Sequence, residues 1–235
     1  MKKTTRILAL IAMMILSVGV YAQKPFAGVI TFETSVEGTS DPNIQAQFAD
    51  ATTDYMVMGN SYRVEESEGV DVIQISNGNS KTVTVILGFQ GLGKYYIQTT
   101  AEDLEKHMEK TELKFDYTGE TKEIAGYKCQ KVIVTSIDKE TDEEEQVILH
   151  VAEIPGITDD INFSTFPGLK GYPLRTEQNR EINGEDVKFV QTATAVTPNK
   201  KIKATSFLMP SDAKPISEAP AEVKAMLGMS DDSED

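Results

Sequence analysis

The sequence predicts an α+β domain, mainly β: a large curved antiparallel sheet, a half-barrel, wrapped around a few short helices. Three observations carry this. About a dozen short runs rich in Val, Ile, Thr, Tyr and Phe alternate with Gly- and Asn-containing turns. Only three short stretches have helical apolar spacing. The 235 residues are 40% hydrophobic and 26% charged, with no repeat or linker that would divide one core into two. A sheet of that size does not stay flat and half-bare. It closes, or it curls around whatever fills its hollow side, and an apolar space between sheet and helices can result.

From the N-terminus, Lys2, Lys3 and Arg6 precede an apolar run, Ile7 to Val20, broken only by Ser17 and Gly19. Val20-Tyr21-Ala22 then places small residues where a signal peptidase cuts. Residues 1–22 read as a cleaved secretory signal, with Gln23 as the mature start and the periplasm as the destination. The rival reading, a membrane anchor, needs roughly 20 apolar residues, and this run is shorter. No cysteine lies near the cut, which excludes a lipid-anchored lipoprotein. Residues 23–228 read as one domain and residues 229–235 as a disordered acidic tail.

The strands predicted in order are Ala27–Val36, Tyr55–Met58, Tyr62–Glu66, Val70–Ser76, Thr82–Leu87, Tyr95–Gln98, Tyr127–Ile137, Gln146–Val151, Tyr172–Ile182, Val187–Val196 and Lys201–Leu208. Gly59-Asn60, Asn77-Gly78-Asn79 and Asn183-Gly184 are the turn signals between neighbouring pairs. Gly126 interrupts the stretch before Tyr127. Helices are predicted after Asp41-Pro42, with Ile44 and Phe48 on one face, and after the capping-box pattern Thr100–Asp103, with Leu104, His107 and Met108 inward. A third opens at Pro220, carries Val223, Met226 and Leu227 on one stripe and stops at Gly228. Each is too short to stand alone in water and must dock on the sheet.

The net charge is −14, and cleavage after Ala22 removes Lys2, Lys3 and Arg6, three positive charges and no acid, leaving −17. So acidic a surface repels phosphate backbones and anionic headgroups, which argues against nucleic acid and electrostatic membrane docking. The single Cys129 excludes an internal disulfide and any multi-cysteine zinc site.

Ile124-Ala125-Gly126-Tyr127-Lys128-Cys129-Gln130-Lys131 resembles the IAGYKCxK hairpin of a bacterial exported family of unknown function and of the related GLPGLI family. Phe166 to Leu174 resembles the KGYPL segment of the first. Phe26–Phe32, the Gly59–Arg63 turn and Phe207–Pro210 fit as well, so the resemblance spans most of residues 26–216. The nearest match to the GLPGLI hexapeptide itself is Phe166-Pro167-Gly168-Leu169. These families are similar in expected fold to the periplasmic lipoprotein carriers and receptors of the LolA/LolB type. That implies a curved antiparallel sheet around helices, with acyl chains held between the two.

The chemistry-bearing residues are few. Cys129 reads as a small buried hydrophobe, against a thiol activated by Lys128 and Lys131. His107 and His150 lack the HxxxH or HxE spacing of a metal site and read as a helix-face and a strand residue. Asp138, Glu140, Asp142, Glu143, Glu144 and Glu145 have no central glycine and read as a solvated hairpin tip rather than a calcium loop. No nucleophile elbow, P-loop or dinucleotide fingerprint is present, and Phe89–Lys94 lacks P-loop spacing. No catalytic residue, metal or cofactor is expected. The remaining candidates are apolar: Met56, Met58, Leu104, Met108, Val223, Met226 and Leu227, read as lining a cavity for an apolar ligand, with ordinary core filling as the alternative. The function expected is non-enzymatic binding of a lipid, acyl chain or lipoprotein. The alternative is an envelope interaction protein whose core is filled by its own side chains.

Overall fold

In a computed structural model of the chain, residues 24–48, 51–182 and 184–229 are described. The expected signal peptide, Asn183 of one turn signal, and residues 230–235 of the tail lie outside them. Among the described residues no helix is long and apolar enough to cross a membrane.

Among the described residues twelve strands form one sheet: β1 (Ala27–Glu37), β2 (Thr52–Met58), β3 (Ser61–Glu68), β4 (Val70–Asn77), β5 (Thr82–Phe89), β6 (Gly93–Thr99), β7 (Thr111–Ile124), β8 (Tyr127–Asp138), β9 (Glu144–Ala152), β10 (Tyr172–Ile182), β11 (Glu185–Pro198) and β12 (Ala213–Pro215). Their spatial order is β12-β6-β5-β4-β3-β2-β1-β11-β10-β9-β8-β7. All neighbours are antiparallel except β12 on β6. The fold is thus the mainly-β, single curled sheet the sequence predicts. Two meanders, β1–β6 and β7–β11, meet where β1 pairs with β11.

Among the described residues three α-helices accompany the sheet: α1 (Pro42–Gln47), α2 (Ala101–Lys110) and α3 (Ala221–Met226). Asp41 caps α1, its Oδ1 accepting the backbone N–H of Asn43 at 2.8 Å. Thr100 and Asp103 close a reciprocal capping box on α2, as their spacing predicts.

Chain connectivity forces the curl. β6 and β7 lie near opposite ends of the sheet order but are consecutive in sequence. Laid flat, ten inter-strand steps would part them by about 50 Å. The link between them is Thr100 and the ten residues of α2, a helix only about 15 Å long. The sheet therefore bends round into an incomplete barrel with α2 across the gap.

Two segments depart from the sequence expectation. Lys201–Leu208 is not a strand: Ala204–Phe207 is a 3-10 turn that drops Ile202 and Phe207 onto one sheet face. The two buried positions are five apart, a spacing that a strand would send to opposite faces and that the turn brings to one. The stretch before Gly126 is the edge strand β7, fourteen residues long and mostly exposed.

Candidate functional site

Alternation along β2–β6 assigns each side chain to a face. One face carries Met56, Met58, Ile73, Ile75, Ile86 and Tyr96, packed under Ile202 and Phe207. The opposite, inner face carries Tyr55, Val57, Tyr62 and Val64, and continues through Val72, Gln74 and Ser76 to Val83, Val85, Leu87, Tyr95 and Ile97.

The inner face is covered unevenly. Ile154 and Ile161, from the connection between β9 and β10, are buried with Ile30, Phe32, Val57, Tyr172 and Leu174. Leu169, from the same connection, is 0% exposed against Val132, Val134, Leu149 and Val151. Asn162 fastens the connection by donating its amide N–H to the Gly171 carbonyl at 2.8 Å. At the other end α3 buries Val223 and Ala219 against Phe89 and Tyr95, with Val70 and Leu87 alongside.

Between these covers lies an open stretch. Val72, Val83, Val85 and Leu87 are only half-buried, and Ile97 is 45% exposed. The register puts Val72 beside Leu87, Val85 beside Ile97 and Gln74 beside Val85. They form one apolar surface across three strands, and from Val83 to Leu87 it runs for about 13 Å. At its inner end Gln74 Nε2 donates to the Tyr62 hydroxyl at 2.7 Å. Tyr62 also faces the hydroxyls of Ser76 and Ser164. Ser76 Oγ is buried and makes no well-formed hydrogen bond. Tyr55 stacks edge-on against Phe32 at 5.0 Å and lies 5.7 Å from Tyr62. Burial holds the phenols of Tyr55, Tyr62 and Tyr172 above their usual titration range; neighbouring phenols raise Tyr55 and Tyr172 further, while hydrogen bonds to Ser76, Gln74 and Ser164 partly offset the effect at Tyr62. These three groups are neutral donors and acceptors, suited to recognising a polar group and not to proton abstraction.

The seven residues singled out from the sequence do not converge. Met56 and Met58 lie on the opposite face, under Ile202 and Phe207. Leu104 and Met108 are half-buried on α2 and join none of the four buried clusters. Val223 is fully buried, while Met226 is 60% and Leu227 36% exposed at the end of α3. Val223 packs at the edge of the open apolar stretch, in the cluster that Leu87 joins. Sequence reading missed Val72, Val83, Val85, Leu87 and Ile97, whose signal was period-two alternation through β4–β6.

Cys129 is 0% exposed in the core, donates its Sγ–H to the Tyr127 carbonyl at 3.5 Å, and burial raises its thiol. His107 is exposed, so the buried side of α2 is Leu104 and Met108 without it. His150 is half-buried; burial lowers its pKa, the Glu177 carboxylate opposes this, and Arg175, Lys122 and Lys131 reinforce it. The acidic run is the β8–β9 hairpin tip. Asp138 accepts the amide N–H groups of Glu140 at 2.7 Å and Thr141 at 3.0 Å, which hold its carboxyl low. Lys139 Nζ donates to the Glu109 carbonyl at 2.9 Å, tying the tip to the end of α2. Among the described residues no three His, Cys, Asp or Glu side chains converge as a metal site.

No protein-family model matches this sequence, and no curated protein matches it. Solved structures do. PNGF-II in its C2 crystal form aligns with a TM-score of 0.52 at 14% identity, covering 86% of this chain and 33% of the PNGF-II chain. The P21 form aligns with a TM-score of 0.50 at 17% identity and the same coverage. This chain therefore spans about a third of the length of that protein, and the likeness is one of fold.

Proposed function

We propose that the protein is an exported, non-enzymatic binding protein that holds an apolar or acyl-bearing ligand against the inner face of β4–β6, with α3 as its flank. The observation that carries this reading is the half-covered run Val72–Val83–Val85–Leu87–Ile97, apolar along its length and bordered by Tyr62, Gln74 and Ser76. An amphiphile fits that pattern: a hydrocarbon chain gains by leaving water on the valines, and its polar end meets neutral hydrogen-bonding groups. The acidic surface favours a ligand without a strongly anionic head. Export rests on the signal-like residues 1–22. Native mass spectrometry of protein purified from its own cell envelope tests the reading. A lipid-sized mass travelling with the chain supports it; the mass of the chain alone, under conditions that preserve known lipid complexes, counts against it.

A second reading is favoured by the connection between β9 and β10. Ile154, Ile161 and Leu169 fill the neighbouring half of the hollow with the chain's own side chains. If the β4–β6 surface takes up no amphiphile, the molecule is a self-filled envelope protein that acts through its surface.

A further inference from the structure

The two edges of the sheet are treated differently. The β6 edge is closed by β12, which lays Ala213–Pro215 along Lys94–Tyr96. The β7 edge pairs with β8 on one side, and among the described residues no strand pairs with it on the other. We propose that this edge is a self-association surface, on which β7 of a second copy pairs antiparallel about Phe115.

The hydrogen-bonding phase comes from the β7–β8 hairpin. Ala125 and Gly126 form its two-residue turn, both with positive φ, so Ile124 and Tyr127 are a hydrogen-bonded pair. Counting along β8 in steps of two, Val134 falls on a pair that is not hydrogen-bonded, and its partner is Phe115. The N–H and C=O of Phe115, and by the same alternation those of Leu113 and Tyr117, therefore point to the free edge. Pairing about Phe115 sets these outward groups opposite one another: Phe115 against Phe115, Leu113 against Tyr117.

Between them the side chains decide. Lys114 of each copy comes opposite Asp116 of the other, twice by symmetry. Charged residues on an edge usually repel a second strand, but here they are complementary to themselves. Leu113 and Phe115 already pack on the inner-face cluster around Leu169, so pairing extends that apolar layer into the second copy. The rival register, centred on Leu113, sets Lys114 opposite Glu112 but runs into α2 immediately before Thr111. The register about Phe115 pairs Leu113–Tyr117 of each copy, regular strand throughout and clear of the helix, and ends at the irregularity after Tyr117.

The test uses the mature chain in sedimentation velocity across a wide concentration range, with hydrogen exchange on the same samples. The expected result is a concentration-dependent dimer in which the amides of Leu113, Phe115 and Tyr117 slow as it forms. Lys114→Glu, at an exposed site, is expected to weaken dimerisation about tenfold or more. Lys114→Glu with Asp116→Lys restores it, because the opposite charges are re-created in swapped positions. In the rival register the double variant sets Glu against Glu112 and stays weak. A monomer up to about 100 µM, a dimer that leaves those three amides in fast exchange, or a double variant no stronger than Lys114→Glu would each overturn the proposal.

Discussion

The two halves of the inner face use the same alternating strand chemistry to different ends. Over β1 and β8–β10 the chain supplies its own filling: Ile154, Ile161 and Leu169 arrive on the β9–β10 connection and are almost fully removed from water. Over β4–β6 the strands are as apolar, yet Val72, Val83, Val85 and Leu87 are only half-covered and Ile97 is exposed. The contrast teaches that the open half is not simply a small core. The chain has the length to fill a hollow and does so beside it, and the open half ends on a polar group of phenol, amide and hydroxyl.

The comparison breaks first on the filled side. Leu169→Ala removes a side chain that is 0% exposed and should cost about 3–4 kcal/mol, read as a lowered denaturation midpoint. Next is Gly156→Ala, about 2–3 kcal/mol. Gly156 sits at φ +89°, its carbonyl accepts the Phe26 N–H at 2.9 Å, and a Cβ there would collide with the backbone of Phe26 and Lys24. The wrong site for filling would show no such penalties. Cys129→Ala should cost about 1 kcal/mol, and native Cys129 should resist thiol reagents until the protein unfolds, since burial both hides it and raises its pKa. On the open side, Ile97→Ser should change stability by no more than about 0.5 kcal/mol.

A pH effect separates the half-buried histidine from both surfaces. His150 Nδ1 is buried without a hydrogen-bond partner, and its pKa is lowered from 6.5. Well above pH 6.5 the imidazole is neutral in folded and unfolded chains alike and contributes no pH dependence. As pH falls below that value the unfolded chain takes up the proton first, so stability is lost until the folded pKa is passed. The melting temperature should fall with acid through this window, and His150→Gln should flatten that part of the curve. The carboxylates Glu177, Asp138 and Asp212, whose pKa values are lowered in the folded chain, add their own loss only at lower pH, as pH falls from the ordinary carboxylate range towards those lowered values.

Strand patterns and turn residues made most of the sheet legible. Gly59-Asn60 joins β2 to β3, and the Thr100–Asp103 spacing caps α2. β7 was harder to read because one long side of it meets water, which admits Glu, Lys and Asp at successive outward positions and dilutes the apolar signal. β12 is three residues ending in Pro215, too short for any period. The site was less legible than the fold. Methionine is adaptable, which drew attention to Met56 and Met58, but facing depends on register, and a shift of one residue sends a side chain to the opposite face. Tyr55 and Val57 look inward while Met56 and Met58 look outward. Which apolar surface the chain covers for itself depends on the β9–β10 connection and on α3, and local sequence does not carry that long-range fact.

The proposed binding surface is tested most directly by titrating a fluorescent acyl probe with an uncharged head, a monoacylglycerol analogue, into the mature protein, Ile97→Asp, and a chain ending at Ser217 that lacks α3. The full chain should bind the probe saturably, Ile97→Asp should bind it about tenfold or more weakly with an unchanged melting temperature, and loss of α3 should alter uptake while the sheet stays folded. Equal, weak and unsaturable probe signals from all three proteins, with the sheet intact in each, would contradict an amphiphile site on β4–β6.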